Sequence, residues 1–286
     1  MKLLKKLNQK FLPLRFLLRL VISSISVCAF AVLTQNPQIF PGAVSSIFSG
    51  HTRDLTELPP GVESIFISTE DEERIELWRL PKSSARVAII FHGNAGDVGN
   101  FFSYQKYFES IGITSYGFDY RGYGLSTGWP SERGLYLDAQ AVTNYVMQRE
   151  KIKSDSLILV GVSIGSGAAA HAANEFDVGT LVLFTPFTSM PDAIQATPVL
   201  GILSPFSFYS FPVQQHVTEL KDTCLIVAHG KKDNVIPFAQ GQAVYQAYRG
   251  KGYRKFLSSA ESSHNDLFFR LHGQLTKSLE SCWNQS

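Results

Sequence analysis

Hydrophobic and polar positions along this chain follow two periods in turn. The runs Val87-Ala88-Ile89-Ile90-Phe91, Leu157-Ile158-Leu159-Val160 and Cys224-Leu225-Ile226-Val227-Ala228 are apolar at nearly every position, and each ends in a glycine-bearing or polar turn. Short unbroken runs of that kind predict strands buried on both faces, as in a parallel sheet. Residues 64–68 and 75–80 flank an acidic turn and predict a leading hairpin, and residues 114–119 and 255–257 predict two further strands. Helical spacing runs over residues 101–110 and 133–151, and Ala168, Ala169 and Ala170 open another helix. Strands and helices in alternation predict βαβ repetition, hence an α/β class with a mostly parallel sheet covered on both sides. The chain shows no internal repeat and no low-complexity segment.

Two segments depart from this alternation. Residues 20–33 are uncharged and mostly apolar, and extending the segment back to Phe11 gives a stretch with Arg15 and Arg19 near its start. A spanning helix needs about 20 apolar residues, and arginines near its end can snorkel to the interface. Residues 1–33 therefore read as a retained membrane anchor. The alternative is a signal sequence cleaved near Ala29-Phe30-Ala31. Either reading exports the downstream domain, because the basic flank stays on the cytoplasmic side. The alternatives are thus a domain tethered on the periplasmic or lumenal side and a secreted one. An amphipathic surface helix is a weaker reading, since after Leu20 the polar positions are only serines. Residues 34–60, with Pro37, Pro41, Gly42, Pro59 and Pro60 among them, read as a linker, and residues 61–286 as the folded domain. The second departure is residues 186–216, where proline, phenylalanine, leucine and isoleucine crowd together. This reads either as a helix pair covering the core or as a small cap insertion lining an acyl pocket, with Phe206 and Phe208 as candidate contacts to an apolar substrate.

Charge sharpens this division. The formal net charge is +2, but residues 1–53 hold seven basic residues and no acid, which leaves the remainder acidic. The basic excess belongs to a tail rather than a folded face, so nucleic acid is not an expected partner. With 44% apolar and 17% charged residues the domain can bury a large core. The three cysteines, Cys28, Cys224 and Cys282, suggest no framework and read as buried thiols. Nothing in the pattern specifies an oligomer.

The candidate chemistry lies at the ends of the apolar runs. Gly161-Val162-Ser163-Ile164-Gly165 falls between a strand and a small-residue helix. Gly-x-Ser-x-Gly in that setting is a nucleophile elbow, in which the serine sits on a tight turn above the sheet edge. Upstream, His92-Gly93-Asn94-Ala95-Gly96 comes after a strand. The backbone N–H groups of Asn94 and Ile164 are the candidate oxyanion donors, one from that loop and one from the residue after the serine. Downstream, Asp233 comes after the strand ending in Ala228-His229-Gly230, and His264 lies on a loop after the last strand. A serine hydroxyl needs a base to act as a nucleophile at neutral pH, and that base needs an acid to hold its tautomer. Ser163, Asp233 and His264 supply the three types in the chain order of this elbow. Asp266, two residues past His264, is a poor substitute for Asp233. His92 and His229 read as hydrogen-bonding turn residues, His171 falls inside the helix after the elbow, and His51, His216 and His272 show no metal-ligand spacing. Asp119 and Arg121 read as a structural pair.

These motifs, with Asp119-Tyr120-Arg121-Gly122-Tyr123-Gly124-Leu125-Ser126 and Pro130-Ser131-Glu132-Arg133-Gly134-Leu135-Tyr136-Leu137-Asp138-Ala139, resemble the α/β-hydrolase superfamily. More narrowly they resemble its Bem46-like branch, with the α/β-hydrolase domain-containing proteins 13 and 17. The resemblance covers about residues 60–275. It implies the α/β-hydrolase fold and a membrane-tethered serine hydrolase of esters or thioesters, acting on a small-molecule or lipid-like acyl substrate. It implies neither a metal nor any other cofactor. The three side chains do not separate leaving groups, so an amidase or aminopeptidase on the same machinery is the alternative activity. A non-catalytic binding protein on this fold is the third reading; the presence of all three side chains argues against it.

Overall fold

The structure, a computed structural model, describes residues 35–48, 50, 58–197 and 201–284, with isolated helical positions at Phe16, Val21, Ser23 and Ser26. Eight strands form one sheet: β1 (Glu63–Ser68), β2 (Arg74–Leu80), β3 (Val87–Phe91), β4 (Thr114–Phe118), β5 (Leu157–Val162), β6 (Thr180–Phe184), β7 (Cys224–Gly230) and β8 (Arg254–Ser259). Their order is β1-β2-β4-β3-β5-β6-β7-β8. The β1–β2 hairpin and the β2–β4 pair are antiparallel, and every pairing from β4 to β8 is parallel. The expected α/β fold with its leading hairpin is what forms.

Burial explains the unbroken apolar runs. In β3 and β5 consecutive side chains point to opposite faces, and both faces are packed. Ile89, Phe91, Leu157 and Leu159 join one core, whereas Ala88, Ile90, Ile158 and Val160 join another. The helices that cover the sheet are α3 (Phe102–Ser110), α4 (Glu132–Glu150), α5 (Gly165–Phe176), α7 (Val213–Glu219), α8 (Phe238–Ala247) and α9 (Leu267–Trp283). Helices α3 and α9 supply Tyr107, Phe108, Leu271, Leu275 and Leu279 to one core, and α4, α5 and α7 supply the other.

The N-terminal region differs from a plain linker. Residues 35–48 form two helices, α1 (Gln35–Ile39) and α2 (Pro41–Phe48), docked on the domain. Phe40 and Ala43 are fully buried, and Phe40 meets Tyr209 edge-on at 5.4 Å. Ile39, Phe40, Ala43, Val44 and Ile47 recur at helical spacing, and that apolar stripe drives the docking. Apart from the isolated positions named above, the expected anchor lies outside the described residues. No helix among the described residues is long and apolar enough to cross a membrane.

The cap segment divides. Its first part is α6 (Met190–Gln195), followed by a short 3-10 helix (Gly201–Phe206). Its second part covers the core, with Phe211 and Val213 fully buried. Arg121 does not pair with Asp119. Its guanidinium instead bridges Asp138 at 2.9 Å and Asp71 at 2.7 Å, tying the hairpin turn to α4. Burial pushes the Asp138 carboxyl up to about 6 against the pull of Arg121.

Two of the three cysteines are not thiols: Cys224 and Cys282 form a disulfide. Helix α9 runs back along the sheet and brings its last turn to the start of β7, which no spacing rule reveals. The bridge closes 58 residues, and loop entropy assigns such a closure about 4 kcal/mol. Cys282→Ser should therefore lower the unfolding free energy by about 2–4 kcal/mol in urea denaturation. A variant as stable as the oxidised wild type would show that the bridge contributes nothing.

Candidate active site

The parallel strands deliver their C-terminal ends to one edge, and the candidate residues come just after those ends. Ser163 sits between β5 and α5 with φ of 54°, in the left-handed region that non-glycine residues rarely occupy. Its N–H donates to Phe184 O at 2.9 Å, which holds the turn against β6. Two flanking glycines permit the turn. A Cβ on Gly161 would lie 2.8 Å from Gly165 O, and one on Gly165 would lie 2.2 Å from Phe91 O. The first N–H groups of α5 point toward Ser163, placing the positive end of a 12-residue helix beside it.

The loop after β8 brings His264 over Ser163. Its Nε2 lies 3.1 Å from Ser163 Oγ, and its Nδ1 lies 2.8 Å from Asp233 Oδ2. The three residues chosen from chain order thus form one continuous hydrogen-bonded relay. Asp233 is itself held on every side. Its Oδ1 accepts the N–H groups of Val235 and Ile236, both at 2.9 Å. Its Oδ2 also faces His229 Nε2 at 3.3 Å, and that nitrogen lies 3.0 Å from Ile236 O. Burial pushes the Asp233 carboxyl up, but hydrogen bonds from His229 and His264, with the His264 charge, hold it well below the usual carboxylate range. His229 is thus a second histidine on the same carboxylate. Asp266 is engaged elsewhere, accepting from Ser263 N at 2.7 Å and Arg270 Nε at 2.8 Å.

A cavity of about 390 Å³ opens beside Ser163 and His264. Asn94 and Ile164 border it, and among the described residues neither N–H donates to another group. The Asn94 carbonyl accepts from Gly42 N at 3.1 Å and Tyr123 Oη at 3.2 Å, so α2 buttresses this loop. The walls are mainly apolar: Phe187 with Met190, Ala193 and Ile194 of α6, Val235 and Ile236 after β7, and Ile39 of α1. Gln35 and Gln38 complete the wall made by α1. Phe206 and Phe208 do not line the cavity. They are 57% and 67% exposed, and the 3-10 helix that carries Phe206 packs against α6. The apolar wall falls instead to residues earlier in the same segment.

The cluster beneath the Asn94 loop is structural. His92 is fully buried among Phe101, Tyr120 and Tyr123, and its Nδ1 lies 2.6 Å from Gly93 O. Asp119 accepts from Val98 N at 2.6 Å, which fixes the start of the helical turn after that loop.

Comparison with known proteins identifies the family. Residues 82–215 match the family model described as serine aminopeptidase, S33. Protein bem46 of Schizosaccharomyces pombe is 30% identical over 241 residues, covering 81% of this chain and 80% of that protein. The chain belongs to the α/β-hydrolase superfamily, in its Bem46-like branch. This hydrolase is also 30% identical over 193 residues to α/β-hydrolase domain-containing protein 17C of Homo sapiens, covering 65% of this chain and 56% of the relative. An esterase of Pyrococcus furiosus shares its fold with a TM-score of 0.67, over 80% of this hydrolase and 95% of that chain, at 17% identity.

Proposed function

We propose that this hydrolase cleaves carboxylic esters or thioesters of acyl groups through an acyl-enzyme on Ser163, while tethered to a membrane by its N-terminal segment. The observation that carries the reading is a Ser163–His264–Asp233 relay opening into an apolar cavity. Ser163 Oγ attacks the acyl carbon as His264 Nε2 takes its proton. Asp233 holds the Nδ1–H tautomer and stabilises the imidazolium. The N–H groups of Asn94 and Ile164 receive the oxyanion, and each such donor is worth about 10²–10³ in rate. When the C–O or C–S bond breaks, the leaving oxygen or sulfur takes the proton from His264. Water, deprotonated by the same histidine, then releases the acid from Ser163. No cofactor or metal enters this scheme.

An aminopeptidase needs a counter-charge for the free α-ammonium. The cavity lining among the described residues includes no Asp or Glu, which favours an uncharged acyl group. The tether rests on the basic flank and apolar run of residues 1–33. Export is supported by the Cys224–Cys282 bridge, since disulfides persist in oxidising compartments.

Acyl esters of increasing chain length, with a peptide amide beside them, test the proposal. Each buried methylene is worth up to about 0.8 kcal/mol, so kcat/KM should climb by up to about fourfold per carbon and fall once the cavity is full. Ala193→Phe, which fills the wall beside Met190, should move the optimum to shorter chains. A wild-type profile flat in chain length, or preference for the amide, would overturn the acyl reading.

A further inference from the structure

We infer that Trp129, Ile202, Phe206 and Phe208 form a single lipid-contacting face that sets the mouth of the acyl cavity against the bilayer. The inference rests on the membrane-tether reading and adds which face of the domain meets the lipid. These four side chains are 52%, 80%, 57% and 67% exposed. Scattered exposed apolar residues are ordinary. Here three of the four fall within residues 202–208, inside a stretch, residues 193–218, that contains no Asp, Glu, Lys or Arg.

What joins the loop of Trp129 to Phe206 and Phe208 is the start of α1, and Ile202 shares the 3-10 helix of Phe206. Gln35 Nε2 donates to Phe206 O at 2.9 Å, and Gln35 Oε1 accepts from Phe208 N at 2.9 Å. The next residue, Asn36, donates through Nδ2 to Pro130 O at 3.2 Å, directly after Trp129. The apolar run ends at Leu33. An extended chain advances at most about 3.6 Å per residue, so Gln35 stands within about 7 Å of the end of that run. A run ending at the hydrocarbon boundary therefore leaves both aromatic loops at the depth of the headgroups. Tryptophan and other amphipathic or aromatic groups are favoured at that depth. Gln35 also lines the cavity beside Ser163. An acyl chain leaving the bilayer beside α1 would thus meet the apolar wall of α6 without crossing water.

The test uses the full chain bound to phosphatidylcholine vesicles whose lipids are brominated near the headgroup end of the acyl chains. The protein has three tryptophans, and Trp78 and Trp283 are buried or partly buried. Tryptophan fluorescence should be quenched on binding, Trp129→Phe should remove most of the quenching, and Phe206→Trp on that background should restore it. Replacing Ile202, Phe206 and Phe208 with serine should lower kcat/KM on a vesicle-borne long-chain ester about tenfold relative to the same variant's rate on a water-soluble acetyl ester. Protein that floats with the vesicles but is not quenched overturns the proposed face and leaves the tether standing. Protein that stays with the aqueous fraction, with an intact N-terminus, overturns both. Bound protein in which Trp129 is shielded from aqueous iodide and also from the brominated lipid would show that a second copy covers the patch, which overturns the lipid face.

Discussion

Replacing Ser163 with alanine is expected to lower kcat/KM on an activated acyl ester by about 10⁶-fold and to abolish labelling by a fluorophosphonate. The magnitude reflects a relay that acts as a unit. His264 and Asp233 keep their 2.8 Å contact in the variant, but there is no oxygen for the base to activate. What remains is binding and the two N–H groups beside the cavity, which in such enzymes leave about 10³–10⁴ over water. His264→Ala added to Ser163→Ala should then cost little more. The fold should survive, because the φ of 54° at position 163 places the same demand on alanine as on serine. Thermal unfolding checks that the variant is native. A folded Ser163→Ala protein that still reacts with the probe would remove Ser163 from the nucleophile's role.

The sheet was legible because its strands are buried twice over. β3, β5 and β7 have no exposed position, so their runs stand out against any helical period. The relay was legible for a related reason: each member comes after a parallel strand, and all parallel strands end at one edge. Chain order alone therefore brought Ser163, Asp233 and His264 to one place. Features that depend on long-range docking were hidden. In residues 35–48 the stripe of Ile39, Phe40 and Ala43 lies among Pro37, Pro41 and Gly42, which mimic a linker. The partner of Arg121 could not be read from spacing, since Asp71 and Asp138 approach it from the hairpin turn and from α4. Phe206 and Phe208 lie in the right insertion but face solvent instead of the cavity, and composition does not report which residues of an insertion line a cavity. His229 lies within β7 rather than in a turn, and its approach to the same carboxylate as His264 needed the closed loop after that strand.

The N-terminal helices change how the site is held. Helix α1 walls the cavity through Gln35, Gln38 and Ile39, and α2 fixes the Asn94 carbonyl through Gly42 N. The segment that leads into the domain is thus part of the site's frame. Its ordering is coupled to the shape of the cavity through buried contacts of Phe40 and Ala43.

Asp233→Asn is expected to lower kcat/KM by about 10⁴-fold, the effect seen where an acid of this kind becomes an amide. The surroundings decide which way the amide turns. Val235 N and Ile236 N both donate to Oδ1, so the asparagine must keep its carbonyl there. Its NH₂ then occupies the place of Oδ2, 2.8 Å from His264 Nδ1 and 3.3 Å from His229 Nε2. A donor at that point makes His264 keep its Nδ1 lone pair and carry its proton on Nε2. An Nε2–H facing Ser163 Oγ at 3.1 Å cannot accept the hydroxyl proton. His229 meets the same conflict: with its proton on Nε2 it keeps Ile236 O but faces the amide NH₂ as a second donor, and with its proton on Nδ1 it accepts from the amide but loses Ile236 O. The variant should also be less stable at neutral pH. The Asp233 carboxyl is held below its usual range, so its contribution to stability is present above about 4 and fades as the pH falls through the depressed value. Nitrogen-15 NMR of labelled histidine should show the His264 proton moved from Nδ1 to Nε2, alongside the lost turnover. A variant that retained turnover within about tenfold of wild type, with His264 still protonated on Nδ1, would mean that the relay does not depend on Asp233 for its tautomer.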